Sequence, residues 1–169
     1  MNAYDFVPEL AKMLRNLDGW LEKAAAHAKA KGFDPNVLAE ARLAPDQYSL
    51  VEQVQSACDA AKFAAASLSG TEAPSHPDTE KTMAELSQRI RTCLAYLDTM
   101  EPAAFAGAEE RKVAPRWLKG KWLIGHDYLV DFAIPNFFFH VVTAYSILRH
   151  NGVDIGKMDF IGSLAIKDA

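Results

Sequence analysis

HDYLVDFAIPNFFFHVVTAYSILRHNG, residues 126–152, reads as one long apolar helix with a polar thread on one side. Asn136, His140 and Thr143 are spaced by four and then three residues, and side chains so spaced stack on one helix face. An imidazole, with an amide one turn before it, therefore points into a wall of Phe and Val. Pro135 removes one backbone hydrogen bond and crowds the carbonyl four residues back, which predicts a kink near Asp131. Asn151-Gly152 closes the helix. Phe137, Phe138 and Phe139 fan over most of a turn. At least one of them must leave the bundle core, toward a neighbouring segment or another subunit.

Upstream, the apolar residues keep the same period. Leu10, Met13, Leu14, Leu17, Leu21 and Ala24 form the core-facing stripe of a first helix over 3–31, with Gly32 as a left-handed stop. Asp34-Pro35 has the form of an N-cap followed by Pro at the first helical position and opens a short helix over 35–42. Ser49 and Glu52 form a capping box ahead of a second long helix, 50–68, which is rich in alanine. A third helix runs from Thr79 to Thr99, with Met83, Leu86, Ile90, Cys93, Leu94 and Leu97 inward. Between helices three and four, VAPRWLKGKWLIG (113–125) suggests a small β-hairpin around Lys119-Gly120. The tail packs Phe160 and Ile161 on the bundle end.

This makes an all-α four-helix bundle the simplest architecture, a single domain over residues 1–169. The linker at 70–78 is proline-stiffened and can span roughly 30 Å at about 3.3 Å per residue. That matches a 20-residue helix, so helices two and three can run parallel.

With 169 residues, half of them apolar and a net charge of −4, the chain fits one soluble domain and lacks the basic face that nucleic-acid binding needs. No uninterrupted apolar run approaches the roughly 18 residues of a membrane span, and the N-terminus lacks the basic and apolar regions of a secretory signal. Cys58 and Cys93 lie among Ala and Leu on helices, where a thiol acts as a small hydrophobe. These features predict a cytoplasmic protein without membrane or nucleic-acid partners. One basic-aromatic cluster, residues 111–122, holds five of the eighteen Lys and Arg together with Trp117 and Trp122. It can meet an anionic partner, or be a solvated hairpin whose two aromatics fold back on the core.

VEQVQSACDAAKFAAASLSG (51–70) and PNFFFHVVTAYSILRHNG (135–152) resemble the DinB/YfiT-like superfamily, in its sub-branch known only as a domain of unknown function. The resemblance covers nearly the whole chain. It implies an up-down-down-up bundle with 70–78 as the crossover. Many members of the superfamily bind a divalent metal through three histidines, one on the second helix and two on the fourth, and some are thiol-dependent transferases or isomerases. Leu148, Arg149 and Gly152 match the end of that pattern, which puts His140 in the place of the second fourth-helix histidine. Asn136 stands where the first should be, and the second helix offers Gln55, Asp59 and Lys62 in place of histidine.

Gln55, Asp59 and Lys62 share one face of helix two, opposite Val54, Cys58, Ala61 and Ala65. Family-like packing brings that face toward Asn136 and His140, giving a ligand pocket of Gln55, Lys62, Asn136 and Thr143. His140 would be its general base or sole metal ligand, with Asp59 setting the imidazole tautomer. A neutral amide is a poor third ligand, and Lys62 competes with a cation for Asp59. The expectation is therefore an Asp59–Lys62 pair, no resident cofactor, and a homodimer that binds a small molecule or serves a structural role. The alternative is a divalent metal on His140, in a metal- or thiol-dependent small-molecule transferase or isomerase. Arg149 either reaches Asp59 or a surface carboxylate, or is simply an exposed helix arginine. His27 reads as a surface residue, His76 as part of the linker, and His126 and His150 as lying at the ends of helix four.

Overall fold

The computed structural model describes residues 2–167. Four long helices carry the fold: α1 (Phe6–Lys31), α2 (Leu50–Ser69), α3 (Met83–Leu97) and α4 (Gly125–His150). A short α5 (Lys157–Ile161) follows. The two-residue strands β1 (Lys112–Val113) and β2 (Leu123–Ile124) pair antiparallel, Lys112 opposite Ile124 and Val113 opposite Leu123.

The local signals explain most boundaries. Gly32 ends α1 at φ 77° and Gly70 ends α2 at φ 73°, where a side chain would be strained. The Ser49–Glu52 capping box opens α2, with Glu52 Oε2 accepting from the Ser49 amide at 2.8 Å. Residues 35–42 form a 3-10 turn, Pro35–Glu40, with Asp34 accepting from the Asn36 amide. Helix α3 starts at Met83 rather than Thr79, because the capping box that opens it is Thr82 with Glu85. Residues 71–82 are thereby freed as an extended strap. In the hairpin, Lys119 and Gly120 both adopt positive φ; a 3-10 turn over Arg116–Leu118 takes up Trp117, and Trp122 lies just before β2.

Helix α4 is composite. Gly125–Asp127 is α-helical, Tyr128–Ala133 is a π-helix, and Ile134–His150 is α-helical again. The disturbance expected near Asp131 is thus taken up by a wider turn, after which Pro135 sits in the first turn of the resumed helix, where no amide donor is required. Gly125 packs so closely on the segment before β1 that a Cβ built there would overlap the Ala108 carbonyl. By length and composition α4 could cross a membrane, yet it packs against α1 and α2.

One continuous core joins the four helices. Leu10, Leu14, Leu17 and Leu21 of α1 are fully buried, each burial being worth about 1.5–3 kcal/mol. Several contacts register the helices against one another. Phe6 and Trp20 of α1 meet Phe137 and Tyr145 of α4 at centroid distances of 6.4 and 5.3 Å. Asp18 of α1 pairs with Arg91 of α3, and Arg15 with Asp98. Between α2 and α3, Cys93 Sγ lies 3.3 Å from the Cys58 carbonyl. In α5, Phe160 stacks on Trp20 and meets Tyr145 edge-on, as the tail reading anticipates, with Ile161 half-buried beside it.

The phenylalanine run divides as its geometry demands. Phe137 is fully buried, Phe138 half-buried, and Phe139 54% exposed. The hairpin folds back only partly. Trp117 lies 4.7 Å from Phe132, yet Trp117 and Trp122 each keep about half their surface open.

Candidate functional site

Helices α2 and α4, the strap and the hairpin enclose a cleft of about 1190 Å³. Gln55, Asp59 and Lys62 of α2 line it together with Asn136 and His140 of α4. The structure therefore brings five of the six predicted residues to one cavity. Thr143 stands apart: its hydroxyl donates to the Phe139 carbonyl at 2.7 Å, one turn back on its own helix, and it does not line the cleft. Trp117 from the hairpin and Phe132 from the π turn supply aromatic wall.

The expected pair is present, but it is half of a larger network. Lys62 Nζ lies 2.8 Å from Asp59 Oδ1. Arg89 of α3 approaches the same oxygen, also at 2.8 Å. Both cations are 2% exposed, so each needs its carboxylate. Arg89 then reaches into the strap, to the Pro77 carbonyl at 3.0 Å, Asp78 at 3.1 Å and Glu80 at 3.2 Å. Gln55 adds a hydrogen bond to Glu80 at 3.0 Å. Burial opposes ionisation of Glu80, but the Gln55 amide and the Arg89 charge hold its carboxyl below the usual value. Burial also opposes the Arg89 charge; Asp59 and Glu80 outweigh it and raise the guanidinium above its ordinary value. Arg89 and Gln55 together fasten the strap to the helices.

His140 has a different partner from the one expected. Asp59 is occupied by two cations, and the imidazole Nδ1 instead meets Gln53 Oε1 at 2.9 Å. Gln53 is fully buried, and its amide nitrogen donates to the Tyr48 carbonyl at 3.3 Å. That bond fixes the amide: its oxygen must face His140, so Nδ1 carries the proton and Nε2 carries a lone pair. Burial lowers the His140 pKa and keeps the ring neutral. A hydrogen-bonded neutral imidazole in a cleft can accept a proton or a hydrogen bond at Nε2.

Of the partners open to Arg149, the structure gives a surface carboxylate and not Asp59: its guanidinium sits 3.8 Å from Asp154. Two histidines lie elsewhere than expected. His27 is half-buried against Phe33 rather than free in solvent. His76, read as a linker residue, lines the cleft, because the strap folds over α2. Its Nδ1 is buried without a hydrogen-bond partner among the described residues. Burial, then the charges of Lys62 and Arg89, lower its pKa. Gln53 and Arg89 were not foreseen. Their signal was positional: Arg89 falls three after Leu86 and four before Cys93, on the inward stripe of α3.

Among the described residues, no three of His, Cys, Asp and Glu gather closely enough to hold a metal ion. His140 is the one imidazole of the superfamily pattern, Asn136 offers an amide, and Asp59 is already bonded to two cations. This donor set does not fit the three-histidine centre. Cys58 is fully buried beside Cys93, and the neighbouring thiol together with burial pushes its pKa well up, so it is no nucleophile.

Residues 4–161 match the family described as Domain of unknown function (DUF1993). No protein of curated function matches the chain. The crystal structure of a DinB family member protein from Shewanella denitrificans is 46% identical, covers 98% of this chain and 95% of its own, and superposes with a TM-score of 0.94. The helical fold and these matches agree: the chain belongs to the DUF1993 family of DinB-like helical proteins.

Proposed function

We propose that this protein binds a small organic molecule in the cleft between α2 and α4, without a metal, and that it works as a cytoplasmic single-domain homodimer. The observation that carries the reading is the His140–Gln53 pair. A buried amide is committed to orienting one imidazole, and that imidazole lines a large, partly aromatic cavity. The cleft joins aromatic wall from Trp117 and Phe132 to fixed polar groups, and a concave site in which a few groups fix orientation is the usual form of a small-molecule site.

The bundle is read as up-down-down-up. In support, contacts between α1 and α4 advance together along both helices. The α1–α3 ion pairs run in opposite order. Helix α4 is read as a bundle helix rather than a membrane span, because Asp131, Asn136 and His140 lie along it.

The test joins metal content to binding. Elemental analysis of dialysed protein is expected to give well under one equivalent of zinc, nickel or iron. A full equivalent that disappears in His140→Ala would favour the metal-dependent transferase reading, for which the free Nε2 is the supporting feature. Ligand-observed NMR with an aromatic fragment mixture should show contacts that vanish in Asn136→Trp, which fills the cleft, while the helical circular dichroism stays. Fragment signals unchanged in that variant would place binding elsewhere.

A further inference from the structure

From the cleft's acceptors, charge and aromatic faces we infer that its ligand is an organic ammonium, a protonated amine on a flat or apolar body. This deepens the small-molecule reading and rests on it.

Three independent features agree. The first is the direction of hydrogen bonding. With Nδ1–H given to Gln53 and the Gln53 amide tied to the Tyr48 carbonyl, His140 offers the cleft an acceptor at Nε2 and no donor. A ligand with an N–H satisfies it, whereas a carboxylate or phosphate meets lone pair against lone pair.

The second is charge. Glu52, Asp59, Glu72 and Asp78 line the cleft against Lys62 and Arg116. Arg89, behind the wall, bonds both Asp59 and Asp78, so four acidic groups less three basic ones leave a net −1 with the imidazoles neutral. The cations are not free to receive an anion in equal measure, since Lys62 is committed to Asp59. Glu52 takes its hydrogen bonds from Ser49, and no cation lies within 4.0 Å of it among the described residues. A lining carboxylate with no cation in direct contact, and only Arg42 acting on it from further away, favours a positively charged guest.

The third is the protein's own precedent. The Lys62 ammonium is already held in this wall by a carboxylate, Asp59, and an aromatic face, the Phe63 ring 4.7 Å away. Trp117 and Phe132 present the same kind of surface on the opposite, hairpin side. Aromatic faces attract cations through the ring quadrupole, and more strongly once water is excluded. The cavity is larger than a bare alkylamine needs, so the body beyond the ammonium contributes contact area to that wall.

The experiment uses one ring system with three charges: naphthylmethylammonium, naphthylmethanol and naphthoate, titrated into the full-length protein by naphthalene fluorescence. The ammonium should bind about tenfold or more tightly than the naphthoate, reflecting opposite-charge complementarity. Glu52→Gln should narrow that ratio while keeping the helix cap, since Gln also serves at that position. Naphthoate binding equally or more tightly would overturn the ligand class and leave the cleft as a binding site. Failure of all three probes, or binding unchanged in Asn136→Trp, would overturn the cleft reading itself.

Discussion

Lys62 and Arg89, from different helices, both sit 2.8 Å from a single oxygen of Asp59. Neither cation has appreciable access to water. One half-buried carboxylate therefore supports two buried charges and, through Arg89, part of the strap's anchorage.

Removing that carboxylate should be costly. Asp59→Ala is expected to destabilise by about 3 kcal/mol, the lower end for breaking a buried pair, because Asp59 keeps partial solvent access. Adding Lys62→Met should recover part of the loss, and Arg89 retains Asp78 and Glu80 for the rest. Urea denaturation of the two singles and the double gives the coupling. Strict additivity would show that Asp59 and Lys62 do not interact.

The two cleft imidazoles predict a pH dependence. His76 and His140 both have folded-state pKa values below 6.5, chiefly from burial. The unfolded chain then binds more protons than the folded one. Stability is complete above 6.5 and falls as pH drops through 6.5 toward the depressed values. Urea midpoints at pH 7.5 and 5.5 should differ, and less so in a His76→Gln/His140→Gln double variant. An equal drop in that variant would clear both rings. Losses nearer pH 4 belong to Glu52, Glu80, Glu85, Glu109 and Asp159, whose carboxyls are lowered.

Two glycines should respond in opposite senses. Gly125→Ala drives a methyl into the Ala108 carbonyl, which belongs to backbone and cannot swing aside. It should cost about 1–3 kcal/mol, as overpacking does. At Gly19, inside α1, an added Cβ meets nothing within 4 Å, so Gly19→Ala should stabilise by about 0.5–1 kcal/mol. Thermal unfolding of both variants checks the contrast. A neutral Gly125→Ala would mean that the contact is looser than described.

The homodimer is tested on the outer face of α4. Phe139 is 54% exposed, with Val142 and Val130 also largely open on that helix. Exposed apolar surface of this kind marks association sites. Light scattering at micromolar concentration should give twice the chain mass, and Phe139→Ser should lower it toward one. A monomeric wild-type mass would sink the dimer.

Much of this fold could be read before any coordinates. The capping box at Ser49 and Glu52 and the glycines at 32 and 70 act within a few residues, so local sequence specifies them. Helix α3 was placed too early because Thr79 offers a capping residue as plausible as Thr82, and only Glu85, three residues on, favours the second. His140 and Asn136 were legible because a four-residue step is a local fact. Their partners were not. That Gln53 takes the imidazole while Asp59 goes to two cations depends on how α3 and the strap dock, a competition between distant groups. Arg89 shows the same limit: a charged residue on an apolar stripe signals a buried partner without saying which.

The π turn in α4 has a consequence for helical phase. Tyr128, Phe132, Asn136 and His140 all line the cleft at four-residue intervals. In a helix of 3.6 residues per turn, each such step drifts by about 40°, so the first and last would diverge by about 120°. The wider turn over Tyr128–Ala133 holds more residues per revolution and takes back much of that drift. Deleting one residue there would let the helix wind regularly, and His140 would rotate out of register with the aromatic side chains before it. The aim of the imidazole is thus set upstream of the imidazole, by the winding of the turn that precedes Pro135.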